Sequence, residues 1–255
     1  MIKINYKNWY EIDTDDTHNF RRKDHTIWAQ ESFTLFIRCK TNWDGLVKEE
    51  DENPASCIIG KPGMHLGLMV TPEKIFKFDF WTNVDGEIKY GQVASRLMTP
   101  AEGFINIFVS HDAENKIVEL FVYDEKEDER LYASTTYEGV IHDYTWCPTY
   151  IGCAFHDVEQ GYPHNNFWTG DISYLKIIDE FVTKETIDEM IYFDLDELTR
   201  YKNDKSYFIF DGEKQTENSI FDISNNNNHA RFKKQEVYKK YNSVEERENT
   251  KNQIL

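Results

Sequence analysis

The sequence predicts an all-β protein, a sandwich of two antiparallel sheets with one short helix after the closing strand. Three observations lead there. Aromatic residues are heavy, with Phe 17, Tyr 15 and Trp 6 among 255 residues, and such side chains suit a pleated, half-buried surface. Apolar residues recur with a period of two in one segment after another, and turn residues separate those segments. No helical pattern falls between the early strands, which excludes crossover units and the parallel sheet they would build.

Composition sets further limits. The length suffices for a sizeable core and allows one large β domain or two small ones. We expect a single domain over residues 1–236 and a charged tail or terminal helix over 237–255. The formal net charge of −17 argues against nucleic acid as a partner, because that requires clustered Lys and Arg to replace counterions. No apolar run approaches the length of a membrane span. The opening MIKINYKNWYEIDTDD lacks the apolar stretch and small-residue cleavage site of a secretory signal. The default expectation is therefore cytoplasmic, although a phage-type protein or a secreted chain trimmed of its signal would read the same. Cys39, Cys57, Cys147 and Cys153 are too few for a disulfide framework in a chain this long.

In chain order, the first thirty residues read as an irregular lead-in or an edge strand, with Trp9, Tyr10 and Trp28 as the bulky members. In SFTLFIRCK, Phe33, Leu35, Ile37 and Cys39 alternate with Thr34, Phe36, Arg38 and Lys40, which makes a strand with one strongly apolar face. DGLVKEEDENPAS is a surface loop, and Gly60, Pro62 and Gly63 mark a turn before a strand over Met64–Val70. In Ile75–Trp81, Phe76, Phe78 and Phe80 line one face and Lys77, Asp79 and Trp81 the other; Asn83-Val84-Asp85-Gly86 then signals a hairpin.

GFINIFVSHDAENKIVELFVYDEKEDERLYASTTY gives three strands joined by turns at His111–Lys116 and Glu125–Glu129. Ile105, Ile107 and Val109 share a face, as do Val118, Leu120 and Val122, and both of these strands carry apolar residues on both faces, so both belong near the centre of a sandwich. The pattern loosens over Val140–Asn166, with one short strand at Thr149–Phe155 and then a polar, aromatic loop of the kind that carries binding residues on a rigid β scaffold.

The segment FWTGDISYLKIIDEFVTKETIDEM (Phe167–Met190) has the clearest local signals: a Gly170-Asp171 turn, a strand over Ile172–Ile178, Thr183 as helix N-cap, and a helix whose Ile187, Met190 and Ile191 form an apolar stripe. Leu195 and Leu198 extend that helix toward Tyr201. Two more strands lie in YFIFDGEKQTENSIFDISNNNNHARFK, with a turn-rich tract at Asn225–Asn228.

SFTLFIRCK, IIGKPGMHLGLMV, FINIFVSHDAENKIVELFVYD and FWTGDISYLKIIDEFVTKETIDEM, taken in this order, resemble the laminin-G-like branch of the concanavalin A-like lectin and glucanase superfamily. IFDISNNNNHA resembles a late turn of the same branch. One departure is that Tyr123-Asp124 is followed by Glu125 and not by that branch's usual glycine. The resemblance implies a jelly-roll sandwich and a glycan, polysaccharide or protein as partner. It leaves open a minority of members that hydrolyse or cleave polysaccharides, and fold does not choose among these.

Candidate sites follow. The glucanases of that superfamily project their acids from one strand in a Glu-x-Asp-x-x-Glu pattern; the nearest string here, Glu11-Ile12-Asp13-Thr14-Asp15, lacks the second Glu at that spacing. Cys147, Cys153 and His156, flanked by His142 and His164, do not have the ligand spacing of a zinc site. The resemblance allows Ca2+ held by loop oxygens at Asp171, Asp222 and Asn225, residues that otherwise serve as turn formers. Glycan binding needs aromatic faces for stacking and planar polar groups for hydroxyls, which selects Trp81, Tyr90, Tyr162, His164, Asn165 and Trp168. The leading expectation is a non-catalytic carbohydrate-binding, lectin-like module, alone or in a polysaccharide-handling or phage-type assembly. The alternatives are a polysaccharide lyase or atypical glycoside hydrolase, and a protein–protein interaction domain.

Overall fold

The structure is a computed structural model that describes residues 1–5, 8–12, 31–45, 55–61, 66–97, 102–142, 149–154, 166–193, 206–211, 215–216, 219–220, 223–224 and 230–234. Its strands are β1 (Ile2–Ile4), β2 (Asn8–Ile12), β3 (Phe33–Thr41), β4 (Ser56–Lys61), β5 (Leu66–Val70), β6 (Ile75–Val84), β7 (Glu87–Arg96), β8 (Ile105–Asp112) and β9 (Ile117–Asp124). They continue as β10 (Glu129–Thr136), β11 (Val140–Ile141), β12 (Thr149–Ile151), β13 (Gly170–Ile178), β14 (Ser206–Asp211), β15 (Gln215–Thr216), β16 (Ser219–Ile220) and β17 (Ala230–Lys234). Helix α1 (Lys184–Phe193) follows β13.

These strands make two antiparallel sheets packed as a jelly-roll sandwich. The seven-stranded sheet runs β1-β13-β3-β8-β9-β10, with β14 also paired to β13. The ten-stranded sheet runs β11-β6-β5-β4-β12-β2-β17-β16-β15, with β7 paired to β6. The core lies between them and is built by period-two alternation. Phe33, Leu35, Ile37 and Cys39 of β3 are fully buried, and Phe76, Phe78 and Phe80 of β6 meet them from the other sheet. Burial of each such side chain contributes about 1.5–3 kcal/mol.

The apolar outer faces of β3, β8 and β9 have a separate cause. Phe36, Phe108, Phe121 and Tyr174 lie under α1, where Ile187 and Ile191 pack on them. The Phe36 and Phe108 rings stack with centroids 4.5 Å apart. The helix starts at Thr183, whose Oγ1 accepts the Thr186 N–H at 3.3 Å, one of the donors that a helix leaves unpaired. An extension of α1 toward Tyr201 lies outside the described residues, as do the tract Asn225–Asn228 and the expected tail.

Several elements depart from the sequence reading. The lead-in forms β1 and β2, and β2 is an interior strand between β12 and β17. Its neighbours Trp9 and Tyr10 are both buried, one on each face of the sheet, which hides the period of two. Gly60 lies within β4 and not in a turn. His111 lies within β8, and Glu129 opens β10. The Gly170-Asp171 pair is not a turn: it opens β13, paired with Thr41 and Lys40 on one side and with Ile4 and Lys3 on the other. Glycine is needed there for contact, since a Cβ would lie 2.3 Å from the Lys40 carbonyl oxygen and 2.5 Å from the Trp168 ring.

Candidate functional site

Both sheets have outer faces, and they differ in what covers them. On the seven-stranded sheet, α1 covers one part. A polar cluster closes the next, where Arg38 grips Glu125 through Nε (2.5 Å) and Nη2 (2.7 Å), and also donates to Ser173 Oγ at 3.0 Å. The Arg38 guanidinium lies 4.2 Å from the centre of the Phe104 ring. On the ten-stranded sheet, Trp9, Tyr150, Cys153 and Phe167 form one buried cluster, and Ala55, Cys57, Met69 and Ala154 another. Among the described residues, the corner made by β6, β7 and β11 stays open.

Strand register builds that corner. Because Phe76, Phe78 and Phe80 point inward, Lys77, Asp79, Trp81 and Asn83 point outward. The pairing of β6 with β7 sets Gln92 beside Asp79, Tyr90 beside Trp81, and Ile88 beside Asn83. β11 adds Val140 on the other side of Asn83. Ile88, Tyr90 and Val140 are 40%, 52% and 56% exposed, so half of the six large exposed apolar residues among those described gather here.

Asp79 ties the surface together. Its carboxylate is buried; Oδ1 accepts from Tyr90 Oη (2.8 Å) and Gln92 Nε2 (2.8 Å), and Oδ2 from Lys77 Nζ (2.8 Å). Gln92 Nε2 also reaches Tyr90 Oη at 2.6 Å. Burial first, and then the Asp79 carboxylate that the phenol donates to, push the Tyr90 hydroxyl above its ordinary value. Tyr90 is therefore a neutral, anchored ring with one face to solvent. It meets Trp81 edge-on, with centroids 5.5 Å apart and planes at 66°.

At the end of the corner, where the β6–β7 hairpin and β11 meet the β8–β9 turn of the other sheet, lies a groove of about 580 Å³ lined by Asn83, Val84, Asp85, Lys116, Val140 and His142 among others. Gly139 adopts φ 78°, and a Cβ on it would lie 2.0 Å from the Asn83 carbonyl oxygen, so glycine lets the chain close tightly against β6. Asn83 Oδ1 accepts the Gly86 N–H at 2.8 Å, which fixes the amide with its N–H groups turned away from the hairpin.

The sequence-selected residues fall into three groups. Trp81 and Tyr90 stand side by side at this corner. Trp168 does not offer a stacking face: it is fully buried in the core, and its Nε1 donates to Thr41 Oγ1 at 3.3 Å. Its placement between two strand segments makes it packing. Tyr162, His164 and Asn165 lie outside the described residues. Ala154 and Asn166, which bracket that segment, both lie beside Ala55, and the Asn166 carbonyl accepts the Cys57 N–H at 2.7 Å. Cys57 pairs with Met69, and Met69 with Lys77. Ala154 and Asn166 thus lie beside a strand about 10 Å from Lys77, two strand spacings away.

Of the proposed calcium ligands, Asp171 is a half-buried strand residue, and Asp222 and Asn225 lie outside the described residues. Among the described residues no three His, Cys, Asp or Glu side chains gather as a metal site would require. Cys153 is buried, and burial holds its thiol well above the usual range, which disfavours the thiolate. No helix of the described residues is long and apolar enough to cross a membrane.

Sequence reasoning missed Asp79, Gln92, Asn83 and Val140. Asp79 carried a signal, an acid placed between two inward phenylalanines; Gln92 carried another, two residues from Tyr90 and so on the same face. Val140 had none, since its position depends on pairing across 57 residues of sequence with Asn83. A His-Tyr pair is present elsewhere: His111 Nε2 lies 2.6 Å from Tyr137 Oη, with Nδ1 2.8 Å from the Glu31 carbonyl oxygen. That pair is internal, because His111 is fully buried.

No protein-family model matches the chain, and no curated protein is similar to it in sequence. Solved structures are similar in fold. The carbohydrate-binding module (CBM40) of the Ruminococcus gnavus IT-sialidase superposes with a TM-score of 0.53 at 19% identity, covering 75% of this chain and 94% of that one. The same module bound to alpha2,3 sialyllactose gives the same TM-score, identity and coverage: 0.53, 19%, 75% and 94%. The LG1-3 region of the laminin alpha2 chain superposes with a TM-score of 0.46 at 10% identity, over 69% of this chain and 30% of that one. The chain has the concanavalin A-like, laminin-G-like jelly-roll fold, a fold that includes a carbohydrate-binding module.

Proposed function

We propose that this protein is a non-catalytic carbohydrate-binding module and that the β6–β7–β11 corner of its ten-stranded sheet is the binding face. The observation that carries this reading is the adjacency of Tyr90, half-exposed, and Trp81, with an ordered polar frame of Asp79, Gln92 and Lys77 beneath them. A sugar ring offers C–H groups to an aromatic face and hydroxyls to planar amides, and this corner presents both. Gln92 and Asn83 supply the amides, and the groove beyond them has room for a further sugar unit. The same-fold module crystallised with sialyllactose supports the reading as an analogy of fold.

Tyr162, His164 and Asn165 complete the ligand-binding set in this proposal. Calcium enters it as an accessory ion at Asp171 with Asp222 and Asn225. The test is a glycan array with the intact protein, run with calcium and again with chelator. Binding to at least one glycan class is expected, and loss of that binding in chelator would assign the ion. Absence of binding in both conditions would overturn the proposal.

A further inference from the structure

We infer that the row Val140–Asn83–Ile88 receives the acetamido group of an N-acetylated amino sugar, so that this face selects acetamido glycans over their hydroxyl counterparts, an inference that rests on the glycan-binding reading above. Strand register assembles the row. Asn83 of β6 pairs with Ile88 of β7 on one side and with Val140 of β11 on the other. Side chains at paired positions share a face, with Cβ atoms about 4.5–5.5 Å apart. Asn83 is exposed, and Ile88 and Val140 are 40% and 56% exposed. An amide therefore stands between two aliphatic side chains on the outer face.

The hairpin sets which end of that amide a ligand meets. Asn83 Oδ1 accepts the Gly86 N–H at 2.8 Å, so Nδ2 presents the row's N–H donors. An acetamido group complements this arrangement: its carbonyl oxygen accepts from Nδ2, and its methyl group covers the Ile88 or Val140 side chain. A hydroxyl at the same ring position can also accept from Nδ2, but it leaves both aliphatic side chains in water. The gain from the acetamido group is thus the burial of its methyl against them.

The position of the row relative to the aromatic pair fits a ring substituent. Trp81 and Tyr90 form the next row on the same face, two residues along each strand and about 7 Å away. A sugar ring stacked on Tyr90 reaches the Asn83 row with a substituent and not with the ring itself. Asn83 and Val140 also line the groove of about 580 Å³, which gives that substituent more room than a flat sheet face would.

The experiment titrates the intact protein with two matched pairs: chitotriose against cellotriose, and N-acetyllactosamine against lactose. Within each pair the only difference is an acetamido group in place of a hydroxyl. The acetamido member is expected to bind at least tenfold tighter. Asn83→Asp keeps an acceptor for the Gly86 N–H but removes the donors, and Val140→Ser removes one aliphatic wall; each is expected to lower the acetamido-to-hydroxyl affinity ratio at least threefold. Equal affinities within a pair, or a ratio that either variant leaves unchanged, would overturn the inference and leave the glycan-binding reading standing. So would failure of both pairs to bind while another glycan class binds in the array. Failure of both pairs and of the whole array would overturn that reading as well.

Discussion

Tyr90 and Trp168 are both aromatic residues selected from sequence as glycan contacts, and the structure gives them opposite situations. Tyr90 is 52% exposed with only its hydroxyl anchored. Tyr90→Ala is expected to weaken glycan binding about tenfold or more, the value of one lost stacking face, while the melting temperature moves little. Trp168 is fully buried, and Trp168→Ala is expected to cost about 3–5 kcal/mol of stability in chemical denaturation. His111 brings a pH dependence. Its Nδ1 faces the Glu31 carbonyl and so carries the proton, and Nε2 accepts from Tyr137. Burial lowers its pKa from 6.5 to about 4. The unfolded chain therefore binds the extra proton first, so stability is full above about pH 6.5 and falls as the pH drops toward 4, by at most roughly 3 kcal/mol. Denaturation midpoints measured across that range check it, and a His111→Gln variant should flatten the dependence.

At the scale of elements, local pattern and long-range pairing divide what could be read from sequence. β3, β6 and α1 were legible because their signals are local: strict alternation in SFTLFIRCK, the phenylalanines at 76, 78 and 80, and a Thr cap before an apolar stripe. The cap is testable, since Thr183→Ala should cost about 1 kcal/mol in thermal or chemical unfolding. β2 was read as an edge or irregular because Trp9 and Tyr10 both bury, and its interior place comes from β12 and β17, which pair with it from far along the chain. Gly170 looked like a turn residue, and its actual reason is contact with Lys40 and Trp168. Gly170→Ala should therefore destabilise the fold by about 1–3 kcal/mol, the range for overpacking a dense core. A turn glycine exposed to water would lose less.

The whole molecule is a sandwich with one outer face largely closed by α1 and the Arg38–Glu125 cluster, and the other open at a single corner among the described residues. The fold was legible at this scale, since alternation, turns and one late helix leave few architectures. The binding face was legible only in part. Period two placed Trp81 opposite the phenylalanines, but the union of Trp81, Tyr90, Gln92, Asn83 and Val140 depends on the β6–β7 and β6–β11 registers, which no local signal encodes. The central claim is that this corner receives a glycan. Titration of isotope-labelled protein with the best-binding oligosaccharide of the glycan array, followed through backbone amide chemical shifts, tests it most directly. Shifts centred on Lys77–Asn83, Ile88–Gln92 and Val140–His142 are the expected result; shifts centred on the outer face of the seven-stranded sheet, around Arg38 and α1, would contradict it.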